Sequence, residues 1–197
     1  MTIKSNKDER VSYNINDITR STKKECLEHL LFCHAFTGCD TTSQIHNFGK
    51  KSIFGKLKMP KDLQHLSEQF YQASATVIEI ENASIRVFEL LHSTTFNLQQ
   101  IRKQKYDTMA ASDCSKIDPV LLPPSPRAAF FHGLRVHHQI VVWKDLSEFD
   151  KEPLRWVWKI ENSNYTPIMT DIEAGPPELL RIVQCGCKGP CGAKCSC

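Results

Sequence analysis

Apolar residues along this chain keep mostly the three-to-four spacing of helices, and the two-residue alternation of strands is confined to short runs. Val11, Tyr13 and Ile15 alternate with polar neighbours, which predicts a short strand after a charged start. Thr22, Lys23, Lys24 and Glu25 have the order of a capping box, and Leu27, Leu30, Leu31 and His34 follow at helical spacing. After Pro60, Leu63, Leu66, Phe70 and Ala73 mark a second amphipathic helix. A third is predicted over 77–92 with Ile78, Ile85, Phe88 and Leu91 inward, and a fourth includes Leu98 and Ile101.

Residues 107–124 end in Leu121-Leu122-Pro123-Pro124 and read as a linker, because paired prolines stop a helix. Ser125 followed by Pro126 is the order of a helix start, and Phe131, Leu134, His138 and Val141 continue at helical spacing. Among His132, His137 and His138 the adjacent pair points apart on a helix, so a polar-face or interface role is expected rather than a metal site. Trp156-Val157-Trp158-Lys159-Ile160 alternates and predicts a strand, with tryptophan packed over the preceding helix. Thr166 to Thr170 is expected to be extended, and a brief helix or strand follows Gly175-Pro176-Pro177 at 178–183. The fold class read from this pattern is mainly α with an α/β remnant.

Length and charge set loose bounds. A chain of 197 residues can bury a core, and a net charge of +3 permits nucleic-acid binding without demanding it. No run of about 18 apolar residues is present, so no membrane-spanning helix is expected. The polar, charged first ten residues are not expected to form a secretory leader, and an intracellular, nuclear location is the expectation. Five of nine cysteines fall within the last thirteen residues, a metal-knot distribution rather than a disulfide framework. Cys26 and Cys33, seven apart on one helical face, are expected to be small core residues.

The densest chemistry lies between His34 and Leu57. Gly38, Cys39, Asp40, Thr41, Thr42 and Ser43 place an acid between a glycine and three hydroxyl residues, which favours a sharp turn with an exposed carboxylate and an oxygen to cap the next helix. Gly49 and Gly55 then frame Lys50 and Lys51, and Ile53, Phe54 and Leu57 are the apolar members of a short helix. Glycine lets a backbone approach a phosphate, and the lysines add positive charge. The plainer alternative is that Asp40 only closes a turn. Arg102, Lys103 and Lys105 are expected on a solvated face, joining a nucleic-acid surface only if near Lys50 and Lys51.

The run from His34 to Ser43, with the Gly-Lys segment after it, resembles the acid-glycine-lysine region of the flap-endonuclease, or PIN-like, nuclease superfamily over residues 22–57. It is still more similar to a set of transposon-associated animal proteins that carry a nearly identical string, and that resemblance extends over most of the chain. Leu122-Pro123-Pro124-Ser125-Pro126-Arg127 followed by a helix and Trp143 belongs to the same resemblance. The superfamily resemblance implies that Asp40 is an ancestral catalytic ligand of magnesium or manganese, and that Gly49, Lys50, Lys51 and Lys56 hold a DNA backbone. Two-metal phosphodiester cleavage needs several converging acids. Asp8, Glu9, Asp17, Glu25 and Glu28 supply no Asp-x-Asp pair ahead of Asp40, so such acids are expected upstream of Met1.

The end of the chain places Cys185, Cys187, Cys191, Cys195 and Cys197 with one, three, three and one residues between them, interleaved with glycines. Thiolates so spaced suit a soft divalent ion, and zinc is the expected cofactor. The tail resembles half of a tesmin/TSO1-type CXC domain, which shares zinc among clustered cysteines and binds DNA. Lys194 stands where that family has tyrosine, and the second cluster is absent.

Four segments are therefore expected: a PIN-like C-terminal segment over 1–60, a helical region with linker over 61–124, a helix with a Trp-rich extended part over 125–183, and a partial CXC-like zinc cluster over 184–197. The leading functional expectation is a transposon-derived, zinc-containing, non-catalytic module associated with DNA. The alternatives are part of a metal-dependent structure-specific nuclease completed upstream, and a helical protein-interaction domain stapled by zinc.

Overall fold

The structure, a computed structural model, describes residues 2–4, 10–22, 24–57, 61–92, 95–113, 121–145 and 152–172. Strands β1 (Thr2–Lys4) and β2 (Arg10–Ser12) pair antiparallel, and helices α1 (Ile15–Ser21), α2 (Lys24–Glu28), α3 (Leu30–Phe36), α4 (Lys50–Leu57), α5 (Lys61–Gln69), α6 (Val77–His92), α7 (Leu98–Asp113) and α8 (Pro126–Trp143) follow. A 3-10 turn at Pro153–Arg155 leads into a second antiparallel hairpin of β3 (Trp158–Glu161) and β4 (Asn164–Pro167). The chain is mainly α, and no described helix is long and apolar enough to cross a membrane.

Helix α8 is the axis of the fold. Ser125 accepts a hydrogen bond from the Ala128 amide at 3.1 Å and Pro126 opens the first turn, as its sequence predicts. Every residue from Ala129 to Val141 except Gln139 is buried, because α6 and α3 pack against α8 and the 153–172 segment covers more of it. Close approach to α6 depends on small residues. A Cβ at Gly133 would stand 2.5 Å from the Ser84 Cβ, and the Ser84 hydroxyl donates to the Ala129 carbonyl at 2.6 Å. Phe32, Phe36, Phe70 and Phe88 link the layers, with ring centroids 5.0 to 6.1 Å apart. One core cluster thus joins residues of the expected 1–60, 61–124 and 125–183 segments.

Several expectations need correction. Ile15 opens α1 instead of ending a strand, since the Asn14 side chain accepts from the Asn16 amide and caps the helix. Thr22 closes α1 by donating to the Ile18 carbonyl at 2.7 Å, so its hydroxyl is not the cap of the next helix. The helix expected from residue 22 onward is interrupted at His29, whose φ and ψ are −102° and 8°. The His29 ring is buried and lies 2.7 Å from the Ser67 hydroxyl. That hydroxyl proton goes to the Gln64 carbonyl, so His29 Nδ1 is the donor to Ser67.

On α6, Ile78 is 68% exposed, and Ile80 points inward with Ala83, Ser84, Val87, Phe88 and Leu91. Phe88 and Leu91 are buried as expected and Ile85 is half-buried, while the small Ala83 and Ser84 complete the contact stripe with Ile80 and Val87. Thr76 and Glu79 cap this helix reciprocally, at 2.7 and 3.2 Å. Helix α7 runs to Asp113, into the expected linker. The α8 histidines are not on a polar face: all three are buried, with His132 Nε2 donating to the Phe36 carbonyl at 3.0 Å and His137 Nδ1 lying 3.1 Å from the Phe70 carbonyl. Trp156 stacks on His138 at 6.0 Å, so it packs over the preceding helix as expected.

Candidate nucleic-acid interface

Helix α3 ends in a left-handed step. Thr37 turns its hydroxyl back onto the Cys33 carbonyl at 2.6 Å, and Gly38 follows at φ 103°. A side chain at Gly38 would also meet the Gln44 backbone at 2.8 Å, so conformation and space both require glycine. Cys39 and Thr42 then bridge through their backbones at 3.2 and 3.3 Å, leaving Asp40 exposed at the tip.

The hydroxyl residues serve this turn and not the next helix, contrary to the expected cap. Thr42 donates to the Ala35 carbonyl at 2.6 Å, and Thr41 donates to the Gln139 side-chain oxygen at 2.5 Å, fixing the turn to α3 and α8. With both hydroxyl protons so engaged, the single S–H of Cys39, 3.3 Å from the Thr41 oxygen and 3.2 Å from the Thr42 oxygen, can donate to one of them at a time.

Helix α4 starts beside this turn. The Gly49 carbonyl accepts from the amides of Ser52 and Ile53, and the fully buried Ile53 anchors the helix. Nothing lies within 4 Å of a Cβ at Gly49, so the space above this helix start is open, and no steric need for glycine exists there. Lys50 donates to the Gly38 carbonyl at 2.6 Å, which draws its ammonium over the Asp40 turn. Lys51 is exposed and makes no hydrogen bond or ion pair among the described residues. Asp40 likewise has no such partner there.

Asp40, Lys50, His34, Gln139 and Trp143 line one recess of about 410 Å³. His34 and Trp143 form its aromatic wall, their rings stacked 5.4 Å apart at 20°, and Trp143 is 39% exposed. Across the Lys50 stem an apolar slot of about 440 Å³ runs along Leu30, Leu31 and Lys51. The edge thus offers a helix N-terminus, two ammonium groups, a flat aromatic pair and one carboxylate.

Among the described residues no three His, Cys, Asp or Glu side chains gather in a metal-binding group. Asp40 therefore lacks described partner acids for a two-ion arrangement. Arg102 and Lys103 are engaged locally: Arg102 donates to the Pro123 carbonyl and Lys103 to Asp107 at 2.5 Å, on a helix that packs against α6. Lys56 lies within α4, though its side chain is not described, and Cys185, Cys187, Cys191, Cys195 and Cys197 fall outside the described residues.

Sequence reasoning missed Gln139. Its signal was the four-residue step through Arg135, Gln139 and Trp143 on α8, a polar-to-aromatic stripe along one side of the helix. No protein-family model, curated protein or solved structure matches the chain.

Proposed function

We propose that this chain is a non-catalytic, zinc-containing module that associates with duplex DNA, descended from a PIN-like nuclease carried by a transposon. One observation carries the reading: Lys50 and Lys51 open α4 beside an exposed aromatic pair, with no carboxylate paired to either lysine among the described residues. The first amides of a helix have no intrahelical acceptor and favour an anion, and lysines there add charge to the same phosphate. His34 and Trp143 supply a face on which an unpaired base or a sugar can rest. Gly49 leaves the approach unobstructed.

Catalysis is not assigned. One carboxylate can hold a magnesium or manganese ion loosely but cannot clamp two across a scissile phosphate. Zinc belongs to the tail, where Cys185, Cys187, Cys191, Cys195 and Cys197 offer one thiolate more than a tetrahedral site takes.

Fluorescence anisotropy with a labelled 20-base-pair duplex tests the reading at low salt. The full chain should bind, and the double variant Lys50→Glu, Lys51→Glu should bind at least about tenfold more weakly. Absence of binding by the full chain would point instead to a helical interaction domain with a structural zinc.

A further inference from the structure

A cavity of about 780 Å³ lies between the 43–48 loop, α6, α7, the 121–125 segment and α8. Its size suits a small organic molecule. Arg102, Lys105 and Arg135 contribute to its wall, and among the described residues no Asp or Glu does.

Arg135 is the unexplained group. It is 1% exposed, and its one hydrogen bond among the described residues runs from Nη1 to the Ile168 carbonyl at 2.6 Å. Nε has no partner there, and no carboxylate pairs with the guanidinium. Clamping Ile168 uses one of five donors on a fixed fork, and a buried cation with most of its donors idle is costly unless an anion completes it. Loss of solvent pulls its pKa down to about 10, which leaves it charged at neutral pH. The neighbouring His132 is neutral and turns its Nε2 hydrogen to Phe36, so it does not compete for the same anion.

The rest of the wall is of two kinds, apolar and polar. Phe88 and Ile101 present buried apolar surface, with Leu122 beside them, and Lys105 is exposed with no bond or ion pair among the described residues. A ligand that satisfies both parts has a charged head and an apolar body.

We propose that this cavity binds a small amphipathic organic anion, its phosphate or carboxylate head on Arg135 and its apolar body against Phe88, Ile101 and Leu122. The site is separate from the Lys50 edge and does not rest on DNA binding.

Isothermal titration calorimetry of the full chain with octyl phosphate, octanoate, octanol and inorganic phosphate provides the test. At least one octyl anion should bind about tenfold or more tighter than octanol and inorganic phosphate, and the tighter of the two anions identifies the head. Arg135→Met should abolish binding. Because that variant can also loosen the Ile168 contact, Lys105→Glu at the exposed wall is the companion. It should weaken binding by about tenfold with an unchanged circular dichroism spectrum, while Lys50→Glu with Lys51→Glu leaves the affinity unaltered. Octanol binding as tightly as both anions, no binding by any probe, or an unchanged affinity in Lys105→Glu would overturn the proposal.

Discussion

Acid should unfold this protein through the histidines of α8. His132 and His137 are 5% and 0% exposed, and burial pushes the pKa of each down to about 4. For His132 the nearby Arg135 charge acts in the same direction, and the hydrogen bond to Phe36 opposes it. An unfolded histidine titrates near ~6.5. The folded pKa is the lower one, so each ring's contribution is complete above about pH 6.5 and is lost as the pH falls towards 4. Integrated to pH 5, each ring costs about 2 kcal/mol relative to pH 7.5, or about 4 kcal/mol for the pair. That is a large part of the roughly 5–15 kcal/mol that holds a domain together. Urea unfolding followed by circular dichroism at pH 7.5, 6.5, 5.8 and 5 measures it. His132→Leu should be destabilised by about 1 kcal/mol at pH 7.5, having lost its bond to Phe36, yet lose only about half as much stability as the parent on going to pH 5. A flat stability between pH 7.5 and 5, or the same pH slope in His132→Leu, would refute the reasoning.

Three further outcomes follow from the same contacts. Gly133→Ala forces a methyl to within 2.5 Å of Ser84, and should lower stability by about 1–3 kcal/mol in thermal denaturation, with Ser84→Gly restoring part of the loss; an unchanged melting temperature would mean that α6 and α8 can separate freely. Asp40→Ala should leave stability within about 0.5 kcal/mol, because the carboxylate is exposed and unpaired among the described residues, and neither form should cut flap or nicked DNA with magnesium or manganese. Metal-dependent cutting abolished by Asp40→Ala would restore the nuclease reading. Protein purified under reducing conditions should carry zinc by elemental analysis, with affinity that falls as the pH drops because the thiols must lose protons; less than about half an equivalent, with all five tail thiols titrating freely, would remove zinc from the account.

Helix existence was legible where periodicity and caps agreed. The sequence placed α6 over its full span, and Ser125-Pro126 placed the start of α8. Inward faces were less legible, because bulk was used as the guide and a close contact between α6 and α8 is made by the small Gly133 and Ser84. The buried α8 histidines were misread for a related reason: a neutral imidazole that donates one hydrogen to a backbone carbonyl behaves as a core residue, and no local pattern announces which carbonyl will be present. At the interface, the exposed Asp40 turn and the Lys50 helix start could be read from glycine and hydroxyl spacing. The partners from α8, Gln139 and Trp143, lie about a hundred positions away and are joined to the turn only by tertiary packing. The break at His29 has the same origin, since it depends on Ser67 of α5.

The central claim is that Lys50 and Lys51 hold duplex phosphate at the start of α4. The direct measurement is the slope of log affinity for duplex DNA against log salt concentration, in the parent and in the Lys50→Glu, Lys51→Glu variant. Each lysine that neutralises a phosphate contributes about 0.9 to that slope through released counterions, so the variant should be shallower by about two units. Equal slopes for the two proteins would contradict the account and leave these lysines as solvated surface.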